Sequence, residues 1–207
     1  MGLISDGTTI FDAGALDSGL AKGAMTFIKK LTASSSGTLS FVHGSGGVDF
    51  STHKEYLFTF KNIHPATNGT TFQFNMSIDA GSNYNVAKTT TFFTADHQES
   101  NDDGGQLSYV TSSDLAQGTG FQFLHQVGDL GGDADQNLSG SLTLFNPSDT
   151  TFVKHFISCT QSNHASDYAV NAFIAGYGNT TSDVDAIRFS MASGNIDAGD
   201  ICLYGIT

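Results

Sequence analysis

The spacing best suited to chemistry in this chain is Asp133, Asp135 and Asn137, three oxygen-bearing side chains at alternate positions of an Asp/Gly-rich stretch. In an extended loop alternate residues project to one side, so the three offer oxygens to a single hard cation, as calcium requires. The EF-hand pattern then fails. Leu138 stands where that loop turns on glycine, and Leu144 where its bidentate glutamate belongs. The stretch is therefore expected to be a solvated acidic turn, with these three residues as its calcium candidates. Glu99, Asp102 and Asp103 form a second acidic loop with fewer of the required features.

Other chemistries find less to work with. His43, His53, His64, His97, His125, His155 and His164 are scattered, without His-x-His or His-Glu-x-x-His spacing, so no zinc site is legible locally. No Gly-x-Ser-x-Gly elbow marks a nucleophile. Carboxylates are plentiful, but nothing singles out the two that a glycosidase needs. No enzymatic activity and no cofactor is expected. Tyr84, Tyr109, Tyr168 and Tyr177 lie near loops or strand ends, where a ring can stack on a pyranose. At a core edge the same residues only carry a hydroxyl to water. Cys159 and Cys202 are the only cysteines. Both fall in strand-like runs, which favours buried free thiols, with a bridge between neighbouring strands as the alternative.

The elements that must position these residues are strands and turns. Apolar residues make up 39% of the 207, with seventeen Phe and no Trp, so the core is expected to be rich in phenyl rings. Gly reaches 24 and Pro only 2, a composition of many turns and no polyproline linker. Eight Lys plus Arg stand against twenty Asp plus Glu, a net charge of −12. Phosphate backbones and anionic lipid surfaces both need clustered cations, so neither nucleic acid nor a membrane is expected as a partner. No apolar run reaches the length of a membrane span, and no basic-then-apolar start marks a secretory signal. Asp6 occupies the position where N-myristoylation wants Ser or Thr.

Period-two alternation carries the fold. Tyr56, Phe58 and Phe60 share one face of 54–63, and Phe72, Phe74, Met76 and Ile78 share one face of 70–78. Each has a polar opposite face, the antiparallel signature. Further strands are read over 24–32, 38–43, 89–95, 106–111, 121–126, 140–146, 151–159 and 171–176. A closing pair flanks Ser193-Gly194-Asn195, with Ile187, Phe189 and Met191 before the turn and Ile201 and Leu203 after it. The connections 33–37, 63–69 and 193–195 read as hairpin turns, 114–117 as one helical turn, and 146–149 as a type I turn. No segment of helical length has a 3.6-residue period. The expectation is all-β: a single two-sheet antiparallel β-sandwich over 24–207, jelly-roll-like, with an N-terminal arm or short hairpin over 1–23.

The closing run Ser193-Gly194-Asn195-Ile196, Gly199 and Ile201-Cys202-Leu203-Tyr204-Gly205-Ile206 resembles the final hairpin of small β-rich virion structural proteins in marine tailed bacteriophages. The opening Gly2-Leu3-Ile4-Ser5-Asp6-Gly7 and the runs 25–31 and 54–60 are similar to that group too. The resemblance implies a non-enzymatic virion component, a head decoration, tail or fibre part. It would be located on the particle after synthesis in the host cytoplasm. The expected partners are further copies of the chain, a trimer among the expected states, and other virion proteins. A host-surface glycan bound at a fibre or tail tip is the alternative function. The resemblance supplies no catalytic residues.

Overall fold

The phenyl alternation closes on Phe189. The computed structural model describes residues 3–5, 8–12, 15–16, 24–100, 104–126 and 128–207. In it the Phe189 ring lies 5.3 Å from Phe60, 5.5 Å from Phe58 and 5.9 Å from Phe72, with Phe41 and Phe74 just beyond. All six rings are buried, and edge-to-face contacts such as Phe60–Phe72 add to the area they remove from water.

These rings come from two sheets. The large sheet contains β4 (Met25–Thr32), β6 (Glu55–Pro65), β8 (Lys88–Gln98), β9 (Gly105–Tyr109), β11 (Leu138–Phe145), β12 (Lys154–Asn163), β13 (Tyr168–Gly178) and β15 (Ile196–Ile206). Its spatial order is β4-β15-β6-β11-β12-β13-β8-β9. The small sheet contains β5 (Leu39–Val42), β7 (Phe72–Ser77), β10 (Gln122–Phe123) and β14 (Ala186–Met191), in the order β10-β7-β14-β5. Pairing is antiparallel throughout. At the N-terminus, β1 (Leu3–Ser5), β2 (Thr8–Asp12) and β3 (Ala15–Leu16) form a three-stranded antiparallel sheet, one strand more than a hairpin.

Setting β8–β9 and β12–β13 aside leaves eight strands. Counted along the chain, they read 1-8-3-6 in the large sheet and 2-7-4-5 in the small one. That is the double Greek key of a jelly roll. The two remaining hairpins extend the large sheet past β11 on one side.

The topology corrects three local readings. Each expected hairpin, at 33–37, 63–69 and 193–195, is a corner that carries the chain from one sheet to the other. Alternation records which side of a strand faces the core, and both sheets face the same core, so it does not report which sheet a strand joins. The corners are tied together at one end of the sandwich. Ser36 and Ile196 exchange backbone hydrogen bonds, Ala66 N–H donates to Asn195 O, and the Thr70 hydroxyl meets Ser193. Gly194 sits at φ +71, where a Cβ would approach Thr67 Oγ1 to 2.3 Å, so glycine is required there. The helical turn falls at Thr111–Ser113 instead of 114–117, because Asp114 is already extended. Asp149 N–H donates to Asn146 O across the expected Asn146–Asp149 turn.

Candidate functional site

The acidic loop is organised by its own hydrogen bonds. Gln136 N–H donates to Asp133 O at 2.9 Å, and Gln136 Oε1 accepts from Asp133 N–H. The Asp133 carbonyl also meets His64 Nε2 at 3.2 Å. Asp135 and Asn137 line an open groove of about 580 Å³ with Asn62, His64 and Asp197. Calcium takes six to eight oxygens, and two of the loop's carbonyls, at Asp133 and Asn137, are already bonded. Among the described residues no three acidic, histidine or cysteine side chains converge as a metal site. Asp102 and Asp103 lie outside the described residues, while Glu99 N–H donates to Asp167 O.

Three of the seven histidines accept from backbone amides. His43 Nδ1 accepts from Phe50 N–H, His125 Nε2 from Phe72 N–H at 2.8 Å, and His164 Nδ1 from Ser166 N–H at 2.8 Å. His164 Nε2 faces Asp129 Oδ1 at 3.3 Å. This looks like a catalytic dyad, but both ring nitrogens are engaged, so no free lone pair remains to act as a general base. Burial raises the Asp129 carboxyl. Burial also drives His125 from its ordinary 6.5 to about 3. That imidazole is a neutral structural group.

The inward side of the extension is unusually polar. Lys88, Thr90, Thr94, Lys154, Ser158, Thr160 and Ser162 are buried there beside Phe92, Phe156 and Ile174. Lys88 Nζ donates to Asn75 Oδ1 at 2.6 Å and Val86 O at 2.8 Å, with no carboxylate among these partners, and burial lowers it from 10.5 to about 7. Asn75 Nδ2 reaches on to Tyr84 O and Thr119 O. The Thr90 hydroxyl donates to Gln122 Oε1, and the Thr160 hydroxyl donates to Leu124 O. These bonds fasten the loops around β10 to the extension.

The four tyrosines do not form one patch. Tyr84 stacks under Arg188, whose guanidinium carbon is 3.8 Å from the ring centre, outside the small sheet. Tyr168 lies against His164 at one end of the large sheet. Tyr109 and Tyr177 share the outer face of the extension; the Tyr109 hydroxyl donates to Asp114 Oδ2 at 2.5 Å. Tyr177 lines an open groove of about 450 Å³ with His155, Thr89, Thr91 and Ile157.

That outer face is the most distinctive surface. Strand register places Cys159, Phe173, Phe93 and Tyr109 side by side across β12, β13, β8 and β9. The row beside it holds Ile157, Ala175 and Thr91, and the row on the other side Gln161, Asn171, Ala95 and Leu107. Phe93 and Phe173 stack at 5.1 Å yet remain 40% and 39% exposed, and Leu107 is 75% exposed. The chain matches no protein-family model, no curated protein and no solved structure. The surface is therefore read from its own chemistry. Apart from His155 and His97, the outward positions of these four strands carry no ionisable group except the Cys159 thiol and the Tyr109 and Tyr177 hydroxyls.

None of the apolar residues on this face except the two tyrosines stood out in the sequence. A usable signal was present: 155–163, 169–178 and 89–95 contain no Asp, Glu, Lys or Arg on either phase, the mark of strands covered on both sides. The cysteines are both free. β11 and β6 separate β12 from β15 in the sheet, so Cys159 and Cys202 stand three strand spacings apart, roughly 14 Å. This excludes the bridge between neighbouring strands.

Proposed function

We propose that this chain is a non-enzymatic structural protein of a phage virion, a head decoration or a tail or fibre component that assembles as a homo-oligomer. The observation that carries the reading is the exposed, charge-free apolar face on a jelly-roll frame. An apolar face of this extent on a soluble domain marks a docking surface. Groups that could do chemistry are meanwhile spent on holding the fold, as with His125, His164 and Lys88. The resemblance of the closing strand to marine phage virion proteins supplies the particle context. Electron microscopy of purified particles of the encoding phage, labelled with an antibody to the chain, tests it. Label over the head makes it a decoration protein, and label at the tail or fibre makes it an appendage part. Unlabelled particles, with the antibody active on the free protein, overturn the reading.

One observation favours a second reading, glycan binding at a fibre or tail tip. The groove beside Tyr177 combines an aromatic ring with the Thr89 and Thr91 hydroxyls and His155, the mixture that stacks on and hydrogen-bonds a sugar. Glycan-array binding lost in Tyr177→Ala supports it, and a blank array with the wild-type protein removes it.

A further inference from the structure

We infer that the outer face of the extension is closed by the same face of a second copy of this chain, in an isologous two-fold contact. The inference rests on the oligomeric part of the proposal above and not on its virion part. Charge selects the occupant. The chain carries a net −12, so two copies repel wherever their acidic surfaces meet. The outward strand positions around Phe93, Phe173, Ile157, Leu107 and Tyr109 carry no Asp, Glu, Lys or Arg, and the Asp114 carboxylate at the rim is bonded to the Tyr109 hydroxyl, so the face can meet itself with few like charges together. It also offers no fixed charge by which a different, charged partner would be chosen.

Extent agrees with that occupant. The row containing Ile157 runs on, uncharged, through Thr143, Leu57 and Tyr204 to Phe27, which is itself 57% exposed. The rows that are uncharged throughout span five strands, β11 to β9, which at ~4.8 Å spacing and a four-row depth of ~20 Å give roughly 450 Å² of face before corrugation. That suits a contact smaller than the standard interface of about 800 Å² per partner, and so a weak, concentration-dependent dimer. The polar inward side gives a second reason. Having placed Lys88, Thr90, Ser158 and Thr160 on the buried side of these strands, the extension keeps several of its larger apolar groups outside, where only a partner covers them. Two such faces stack as aligned sheets about 10 Å apart.

Sedimentation velocity of the full chain across a wide concentration range tests this, beside a Phe93→Glu/Phe173→Glu variant. The expected result is a wild-type monomer–dimer equilibrium that the variant weakens at least ~100-fold, with its circular dichroism unchanged and its melting curve matching that of the wild type at concentrations where the wild type is monomeric. If the double variant does not fold, Thr91→Glu on the same exposed face decides with the same readout. A wild-type monomer at every concentration overturns the inference, including the case where residues 1–23 cover the face. A trimer overturns the two-fold contact. An oligomer that ignores the substitutions overturns the choice of face and leaves the oligomeric reading standing.

Discussion

The two halves of the large sheet share one hydrogen-bond ladder and distribute polar and apolar groups differently between their faces. In the jelly-roll half, Tyr56, Phe58, Phe60, Leu142, Leu144, Ile201 and Leu203 are buried. The outer side of β15 and β4 there carries charge, with Lys30 and Asp200 paired at 3.2 Å. In the extension, lysines and hydroxyls share the inner side with Phe92 and Phe156, and two further phenyl rings, Phe93 and Phe173, lie outside. Connection differs as well. Successive jelly-roll strands cross between sheets, except β7 and β10, which pair within the small one, whereas β8–β9 and β12–β13 are hairpins within one sheet. One half is held by hydrophobic burial between distant segments. The other is held by its neighbours and by buried polar bonds such as Lys88–Asn75 and Thr160–Leu124, with an apolar side left exposed. On the proposed two-fold contact, the sheet divides folding and docking between its two halves.

The sharpest way to break the comparison is to place a charge in each half. Leu203→Asp puts an unpaired carboxylate among buried phenyl rings and should cost more than about 4 kcal/mol, leaving no soluble folded protein. Phe93→Glu, on the exposed face, should change the folding stability of the monomer, measured at low protein concentration, by less than about 1 kcal/mol. Similar unfolding midpoints for the two variants would contradict the assignment of inside and outside.

Acid and base probe the buried polar groups. Lys88 is lowered from 10.5 to about 7, so between those values the unfolded chain binds a proton that the folded chain does not. Stability should therefore rise as pH rises through that window. His125, lowered from 6.5 to about 3, contributes fully above 6.5 and loses its contribution as pH falls toward 3. Each window spans on the order of 4–5 kcal/mol. Denaturant unfolding at stepped pH measures both. Lys88→Met should flatten the upper slope and leave the lower one, while an unchanged upper slope would remove Lys88 as its source.

The smallest effect is expected at the acidic loop. Asp135 lines an open groove, so Asp135→Ala should alter stability by less than about 0.5 kcal/mol, and excess calcium should not shift the wild-type melting curve. A calcium-dependent rise that the substitution abolishes would reinstate the metal site.

Much of the jelly-roll half was legible because its strands alternate cleanly. Phe72, Phe74 and Met76 announce one buried face. Their sheet was not legible, since the corner at 63–69 has the same turn chemistry whether the chain returns beside itself or crosses the core. The extension was harder for a different reason. Thr91-Phe92-Phe93-Thr94 places one ring on each face, so alternation cancels within β8. The outer face is also assembled from β12, β13, β8 and β9, strands that are not all consecutive in sequence, and only register brings Phe93 onto Phe173. Local spacing, which picked out Asp133, Asp135 and Asn137, cannot detect a surface of that kind.

The most direct test of the docking face uses the chain's own thiols. Cys159 lies on the outer row between Ser141 and Phe173, whereas Cys202 is only 4% exposed in the jelly-roll half. Alkylation rates of both are measured as protein concentration is raised. If the face closes on a second copy, Cys159 slows with concentration while Cys202 stays unreactive until unfolding. A Cys159 rate that does not depend on concentration would contradict the account.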